Sequence, residues 1–241
     1  VYILNDSVDA ELDKLDPVKC KRPIASGRIS KQGALIFGLI LTIGSLFGAW
    51  QLSIKFFWLS TSYLVLNILY SFYLKKVVII DVIVVAFGFL IRALAGVFII
   101  KVAPSPWFLV TTFMLALLLA TSKRRYEFLL FENHDVSKKK AVLSSYNEKL
   151  LDQLIILSAT SSVLSYSIYT VSQYLIRTSD NGHKSLIYTI PLVLYGIFRY
   201  LFIVYKKGKG GSPEKILVND PHILGTVVIY GITVALMFLY L

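Results

Sequence analysis

Asn5-Asp6-Ser7-Val8-Asp9-Ala10-Glu11-Leu12-Asp13 follows a short apolar stub, Val1 to Leu4, and the rest of the chain is organised around it. As a helix, the stretch sets Asp6, Asp9 and Asp13 at i, i+3 and i+7, so three carboxylates project from one face with Asn5 beside them. Like charges at this spacing repel, so the face requires a cation or a cationic partner. Hard oxygen donors of this kind suit Mg2+, which keeps several waters and bridges one or two carboxylates to phosphate groups. The plain alternative is a solvated acidic turn at a helix end. Against it stands the next stretch, Lys19-Cys20-Lys21-Arg22-Pro23-Ile24-Ala25-Ser26-Gly27-Arg28, a basic loop containing a glycine and suited to holding phosphates. Acid beside base in this way is the pattern of a diphosphate site.

The surroundings of the motif are apolar. The 241 residues are 56% hydrophobic with a mean hydropathy of +0.69, too apolar for an ordinary soluble domain. Long apolar runs occur at about Ala34–Trp50, Phe56–Tyr73, Val77–Ile100, Pro106–Thr121, Leu154–Ile176, Leu186–Tyr205 and Ile223–Leu241. They predict an all-α integral membrane protein with seven spans, in a single membrane-embedded domain over residues 1–241. The net charge of +11 comes from basic residues in short loops, so it speaks for orientation in a membrane and not for nucleic acid. The segments on one side of the predicted spans carry 19 Lys and Arg, the opposite set only Lys55, Lys101, Arg177 and Lys184. That asymmetry puts the acidic motif and every long loop in the cytoplasm, and the chain in the plasma membrane.

One cysteine, Cys20, excludes an internal disulfide, and three histidines make a zinc site improbable. Val1 stands where a methionine would begin a complete chain, and Val1 to Leu4 read as the last turn of an apolar helix, so an N-terminal part is expected to be missing.

Other residues stand out because a membrane makes them expensive. Asp81 and Arg92 fall within one span, eleven positions apart and close to three full turns, so both can point toward one cavity. Their plain reading is a helix cap and a structural pair. Tyr70, Tyr73 and Lys75, in Tyr70-Ser71-Phe72-Tyr73-Leu74-Lys75-Lys76, are either interfacial anchors or donors to phosphate oxygens. Lys123-Arg124-Arg125 is either a topology signal or a second set of phosphate-binding cations. Glu132, Asp135 and Lys138-Lys139-Lys140 read as a solvated surface, Lys206 to Pro213 as a flexible basic linker, and Asn219-Asp220-Pro221 as a turn and cap before the last helix.

The Asn-Asp-x-x-Asp-x-x-x-Asp motif at Asn5–Asp13, Arg-Pro-Ile-x-Ser-Gly-Arg at Arg22–Arg28 and Tyr-Ser-x-x-Leu-Lys at Tyr70–Lys75 together resemble the UbiA superfamily of intramembrane prenyltransferases. The resemblance implies nine helices around a cavity, seven here and two missing, with aspartates holding Mg2+ and diphosphate at the cytoplasmic mouth. Within the superfamily, Tyr70 to Val82, Gly88 to Gly96 and Lys123 to Glu127 are most similar to the decaprenyl-phosphate phosphoribosyltransferase branch. Where usual members carry a second aspartate motif, this chain has Lys-Arg-Arg. A phosphoribosyl enzyme brings two polyanions together, and extra fixed cations offset their repulsion.

The resemblance therefore implies Mg2+-dependent transfer of 5-phosphoribose from phosphoribosyl diphosphate to a polyprenyl phosphate. Asp6, Asp9 and Asp13 would act as metal ligands and catalytic groups, and Asn5, Arg22, Arg28, Tyr70, Lys75, Asp81, Lys123 and Arg124 as substrate contacts. Membrane lipid surrounds such an enzyme, no nucleic acid is a partner, and a homo-oligomer is left open. The alternatives are a conventional prenyltransferase with an aromatic or lipid acceptor, and a transporter or channel, which paired broken helices would favour.

Overall fold

The computed structural model describes residues 1–14, 19–133, 142–177, 186–208 and 210–240. Glycine and proline punctuate a chain whose apolar runs become helices. The helices are α1 (Tyr2–Asp13), α2 (Lys31–Leu52), α3 (Ile54–Phe72), α4 (Ile80–Ile99), α5 (Pro106–Asn133), α6 (Glu148–Arg177), α7 (Ile190–Lys206), α8 (Pro213–Asn219) and α9 (Pro221–Tyr240). Among the described residues there is no strand. Ser30 caps α2, its hydroxyl accepting from the Gly33 amide at 3.2 Å, and Pro106, Pro213 and Pro221 open three other helices.

The seven predicted spans correspond to α2 through α7 and α9. Five helices are long and apolar enough to cross a membrane, and α8 with α9 makes a sixth if the pair, bent by 81°, counts as one span. α3 falls short because Lys55, Ser60, Thr61, Ser62 and Asn67 dilute its apolar residues. Its polar groups stay within the helix. Thr61 and Ser62 donate back to the carbonyls of Phe57 and Trp58, and the Asn67 amide donates to the Tyr63 carbonyl at 2.7 Å. Broad apolar surfaces remain exposed, as on α2 at Ile36, Phe37, Leu39, Ile40 and Ile43, which is the surface lipid would cover. The protein is an integral, multi-pass membrane protein.

The chain forms two compact units, Val1–Ala103 and Pro104–Leu241. In the first, α2, α3 and α4 meet through small residues. Ala34, Ala49, Ala86, Gly88 and Ala95 are buried, which lets helices approach closely where lipid supplies no hydrophobic drive between them. In the second, α5 packs along α6, and Leu118, Ile155, Ile197, Tyr200, Val204 and Ile223 form a shared core. Thr111 joins α5 to Ser165 of α6 at 3.1 Å, and the Tyr166 hydroxyl donates to that of Tyr230 on α9 at 3.2 Å.

Two local expectations change. Ser122–Glu127 does not open a loop, because α5 continues through it to Asn133. Residues 206–213 are no free linker: Gly210 is buried, and α8 begins at Pro213 with Glu214 in its first turn. The cap at Asp220 is present, its carboxylate accepting from the Ile223 amide at 3.2 Å. Asp135 and Lys138-Lys139-Lys140 lie outside the described residues, as does the side chain of Glu132.

Candidate active site

The acidic motif forms α1. Ser7 and Ala10 are buried and Ser7 donates to the Ile3 carbonyl at 2.7 Å, which leaves Asp6, Asp9 and Asp13 to other segments. The loop after α1 is shaped to return a cation to it. Lys19–Lys21 forms a single 3-10 turn, the Ser26 amide donates to the Arg22 carbonyl at 2.8 Å, and Gly27 takes φ +75°, a left-handed value that glycine adopts without strain. Held in this way, Arg22 Nη1 donates to Asp6 Oδ1 at 2.7 Å and to Asp13 Oδ2 at 2.8 Å. Lys75, in the 3-10 turn Leu74–Lys76 after α3, donates to Asp9 Oδ1 at 2.5 Å. Each carboxylate of the motif therefore carries a cation from another segment, and the like-charge repulsion along α1 is offset.

Burial pushes the Asp13 carboxyl above its ordinary range, against the pull of Arg22 and Lys19. Asn5 Oδ1 is buried and accepts no hydrogen bond among the described residues, an orphaned acceptor that costs about 1–3 kcal/mol until a ligand or water meets it. Arg28 is exposed and forms no ion pair among the described residues. Tyr70 is half-buried and Tyr73 exposed.

Asp81 is fully buried in the first turn of α4, where a carboxylate is favoured by the helix dipole. Arg92, about 16 Å farther along the same helix, stacks on Phe89 at 4.3 Å and reaches the Tyr63 ring at 5.4 Å. It lines a crevice of about 570 Å3 with Ile3, Gly38, Ser60, Tyr63 and Gly96. Asp81 does not line that crevice, so the two charges share a helix side but not a cavity.

In the second unit the three consecutive cations part ways. Lys123 is exposed and forms no ion pair among the described residues. Arg124 is buried and donates to Glu127 Oε2 at 2.8 Å. Arg125 ties α5 to α6: Nε donates to Asp152 at 2.6 Å, Nη2 to Glu148 at 2.7 Å, and its guanidinium lies over the Tyr205 ring at 4.8 Å.

Among the described residues no three His, Cys, Asp or Glu side chains gather closely enough to hold a metal ion. Mg2+ is ordinarily held by one or two carboxylates together with substrate phosphates, so a three-carboxylate cage is not required of such a site. The donor set, carboxylates beside an orphaned amide oxygen, fits that ion in chemistry.

A bundle of long apolar helices with acidic and cationic side chains paired at one end is the architecture of a membrane-bound transferase. The chain belongs to the UbiA prenyltransferase family, whose profile matches residues 1–211. It is 33% identical to the decaprenyl-phosphate phosphoribosyltransferase of Mycobacterium tuberculosis, over 91% of this chain and 70% of that protein. With the enzyme of the same name from Mycolicibacterium smegmatis it shares 30% identity, over 91% and 70%. Among solved structures, a UbiA homolog from Archaeoglobus fulgidus bound to GPP and Mg2+ superimposes with a TM-score of 0.70 at 16% identity, covering 98% of this chain and 81% of that one, a likeness of fold.

Sequence reasoning had named Asp6, Asp9, Asp13, Arg22 and Lys75, and the structure brings these five together. It had missed the joining role of Arg125, because a run of three cations carries no signal of which one turns inward.

Proposed function

We propose that this chain transfers 5-phosphoribose from phosphoribosyl diphosphate to a polyprenyl phosphate, releasing diphosphate, and that residues 1–241 act as one transferase domain. The observation that carries the reading is the pairing of Asp6, Asp9 and Asp13 with Arg22 and Lys75. Those cations can leave their carboxylates for diphosphate oxygens when the donor enters, and the carboxylates, with Asn5, then hold Mg2+. When bound, Mg2+ takes up the charge that develops on the departing diphosphate.

An oxygen of the lipid phosphate attacks the anomeric carbon as the bond from that carbon to the diphosphate oxygen breaks. No general base is needed, because a phosphate dianion is already nucleophilic. The chain's own contribution is positioning and fixed positive charge: Arg22 and Lys75 on the leaving group, Arg28 and Tyr70 beside them, and Asp81 supporting the start of α4. Lys123 and Arg124 add the charge that two polyanions demand. The apolar crevice beside Arg92 offers room for isoprene units. The relatives named for decaprenyl phosphate support this donor and acceptor, as does a basic triplet in place of a second aspartate motif. The site faces the cytoplasm from the plasma membrane, in keeping with the basic residues of the loops.

The test offers membranes containing the complete protein either labelled phosphoribosyl diphosphate with polyprenyl phosphate, or labelled prenyl diphosphate with an uncharged acceptor. Label in a lipid-linked phosphoribose is the expected result. Label only in a prenylated acceptor would assign the chain to the conventional prenyltransferases.

A further inference from the structure

The Gly-rich segment between α7 and α8 is built against the end of α5. A Cβ at Gly210 would come within 2.6 Å of the Ser122 carbonyl oxygen, and one at Gly211 would fall inside the Tyr126 ring. Gly208, at φ +61°, turns the chain into this approach. These glycines therefore fix a strap; they do not loosen a tether. Beside the strap opens a pocket of about 380 Å3, lined by Tyr126, Lys207, Ser212, Lys215, Asn219 and Asp220 among others.

The charge of that pocket is unbalanced. Its one carboxylate, Asp220, is already engaged by Arg199 through two hydrogen bonds of 3.0 and 2.8 Å and by the Ile223 amide, so Lys207 reaches it only at 3.5 Å. Lys215 forms no ion pair among the described residues, and the Ser212 hydroxyl, at the N-cap of α8, makes no capping bond. Two ammonium groups, a hydroxyl and an amide thus converge without an acceptor to match them. We propose that this pocket binds a phosphate monoester, and that the monoester belongs to one of the two transfer substrates: the 5-phosphate of the donor or the terminal phosphate of the lipid. The assignment of the ligand rests on the phosphoribosyl reading above. The volume lies at the small end of the roughly 300–1,000 Å3 common for ligand sites, enough for a phosphate with the sugar or isoprene attached to it. A bilayer phosphodiester carries one negative charge less and matches the two lysines less well.

Lys215→Gln and Ser212→Ala in the complete protein, reconstituted in nanodiscs, separate the sources. Lys215→Gln should raise the KM of one substrate about 10-fold, with a smaller change in kcat, as expected for losing one charge-assisted contact, and Ser212→Ala should raise the same KM by less. The substrate affected names the occupant. Calorimetric titration with ribose 5-phosphate and with farnesyl phosphate in EDTA, where no divalent metal can recruit phosphate to α1, should show one of them binding the wild type and about 10-fold weaker binding to Lys215→Gln. Unchanged KM values together with unchanged binding would overturn the pocket. So would an effect confined to activation by anionic phospholipid, which would hand the site to a bilayer headgroup. If the protein ignores phosphoribosyl diphosphate altogether, the transfer reading falls, and the titrations in EDTA still decide the pocket.

Discussion

The same residue types serve exchange in the first unit and fixation in the second. Around α1, a single guanidinium nitrogen of Arg22 is shared by two carboxylates and Lys75 meets Asp9 through one contact, all on half-exposed or partly buried side chains. In the second unit, Arg199 grips Asp220 through two nitrogens while Asp220 also caps α9, and Arg125 holds two acids of α6 and stacks on Tyr205. A guanidinium bound through its fork and stacked on a ring is geometrically committed, whereas a single-point contact is readily traded for a phosphate oxygen. The number and geometry of bonds, more than the presence of an ion pair, separate binding chemistry from scaffold.

The largest effect expected from this contrast is at Asp9. Asp9→Asn should lower kcat by about 1,000-fold or more while expression and membrane insertion persist, the scale at which removal of a charge-stabilising group is usually felt. Near-normal turnover in saturating Mg2+ would move α1 into the scaffold class. Next, Arg22→Ala and Lys75→Ala should each lower kcat/KM by about 100-fold, because they remove leaving-group contacts, with the thermal midpoint nearly kept.

Arg125→Ala should do the reverse. Losing two hydrogen bonds to partly exposed acids destabilises by about 1–3 kcal/mol, read as a lower thermal midpoint in detergent, while KM stays near wild type. If its KM rises as for Lys75→Ala and its midpoint is kept, the division between the two regions fails. The smallest effect belongs to the free end of the triplet: Lys123→Gln should raise a substrate KM about 10-fold, and Arg124→Gln less, since Glu127 already engages Arg124.

Much of the first unit was legible in sequence. Helical spacing put three carboxylates on one face, and the Arg-Pro-Ile-x-Ser-Gly-Arg loop lay near enough in the chain for Arg22 to return to them. Lys75 stands 66 residues from Asp9, so no local pattern joins them, and only the resemblance of its motif pointed there. Asp81 and Arg92 were placed on one helix side correctly in angle, but angle says nothing of depth, and about 16 Å of rise separates their surroundings.

The second unit was harder to read. Composition cannot distinguish a glycine that loosens a chain from one that admits close packing, and Gly210 and Gly211 are of the second kind. The Ser212-Pro213-Glu214 signal at the start of α8 was present but masked by the basic run before it. Arg125 could not be told from Lys123 by charge, since only the carboxylates of Glu148 and Asp152 on α6 separate them.

The most direct measurement is the binding of phosphoribosyl diphosphate to the purified complete protein, titrated with and without Mg2+, in wild type and in Asp9→Asn. Binding that strengthens with Mg2+ in the wild type and loses that dependence in Asp9→Asn is the predicted result. Equal binding with and without the metal, or the same metal dependence in both proteins, would contradict the assignment of α1 as the diphosphate-binding helix.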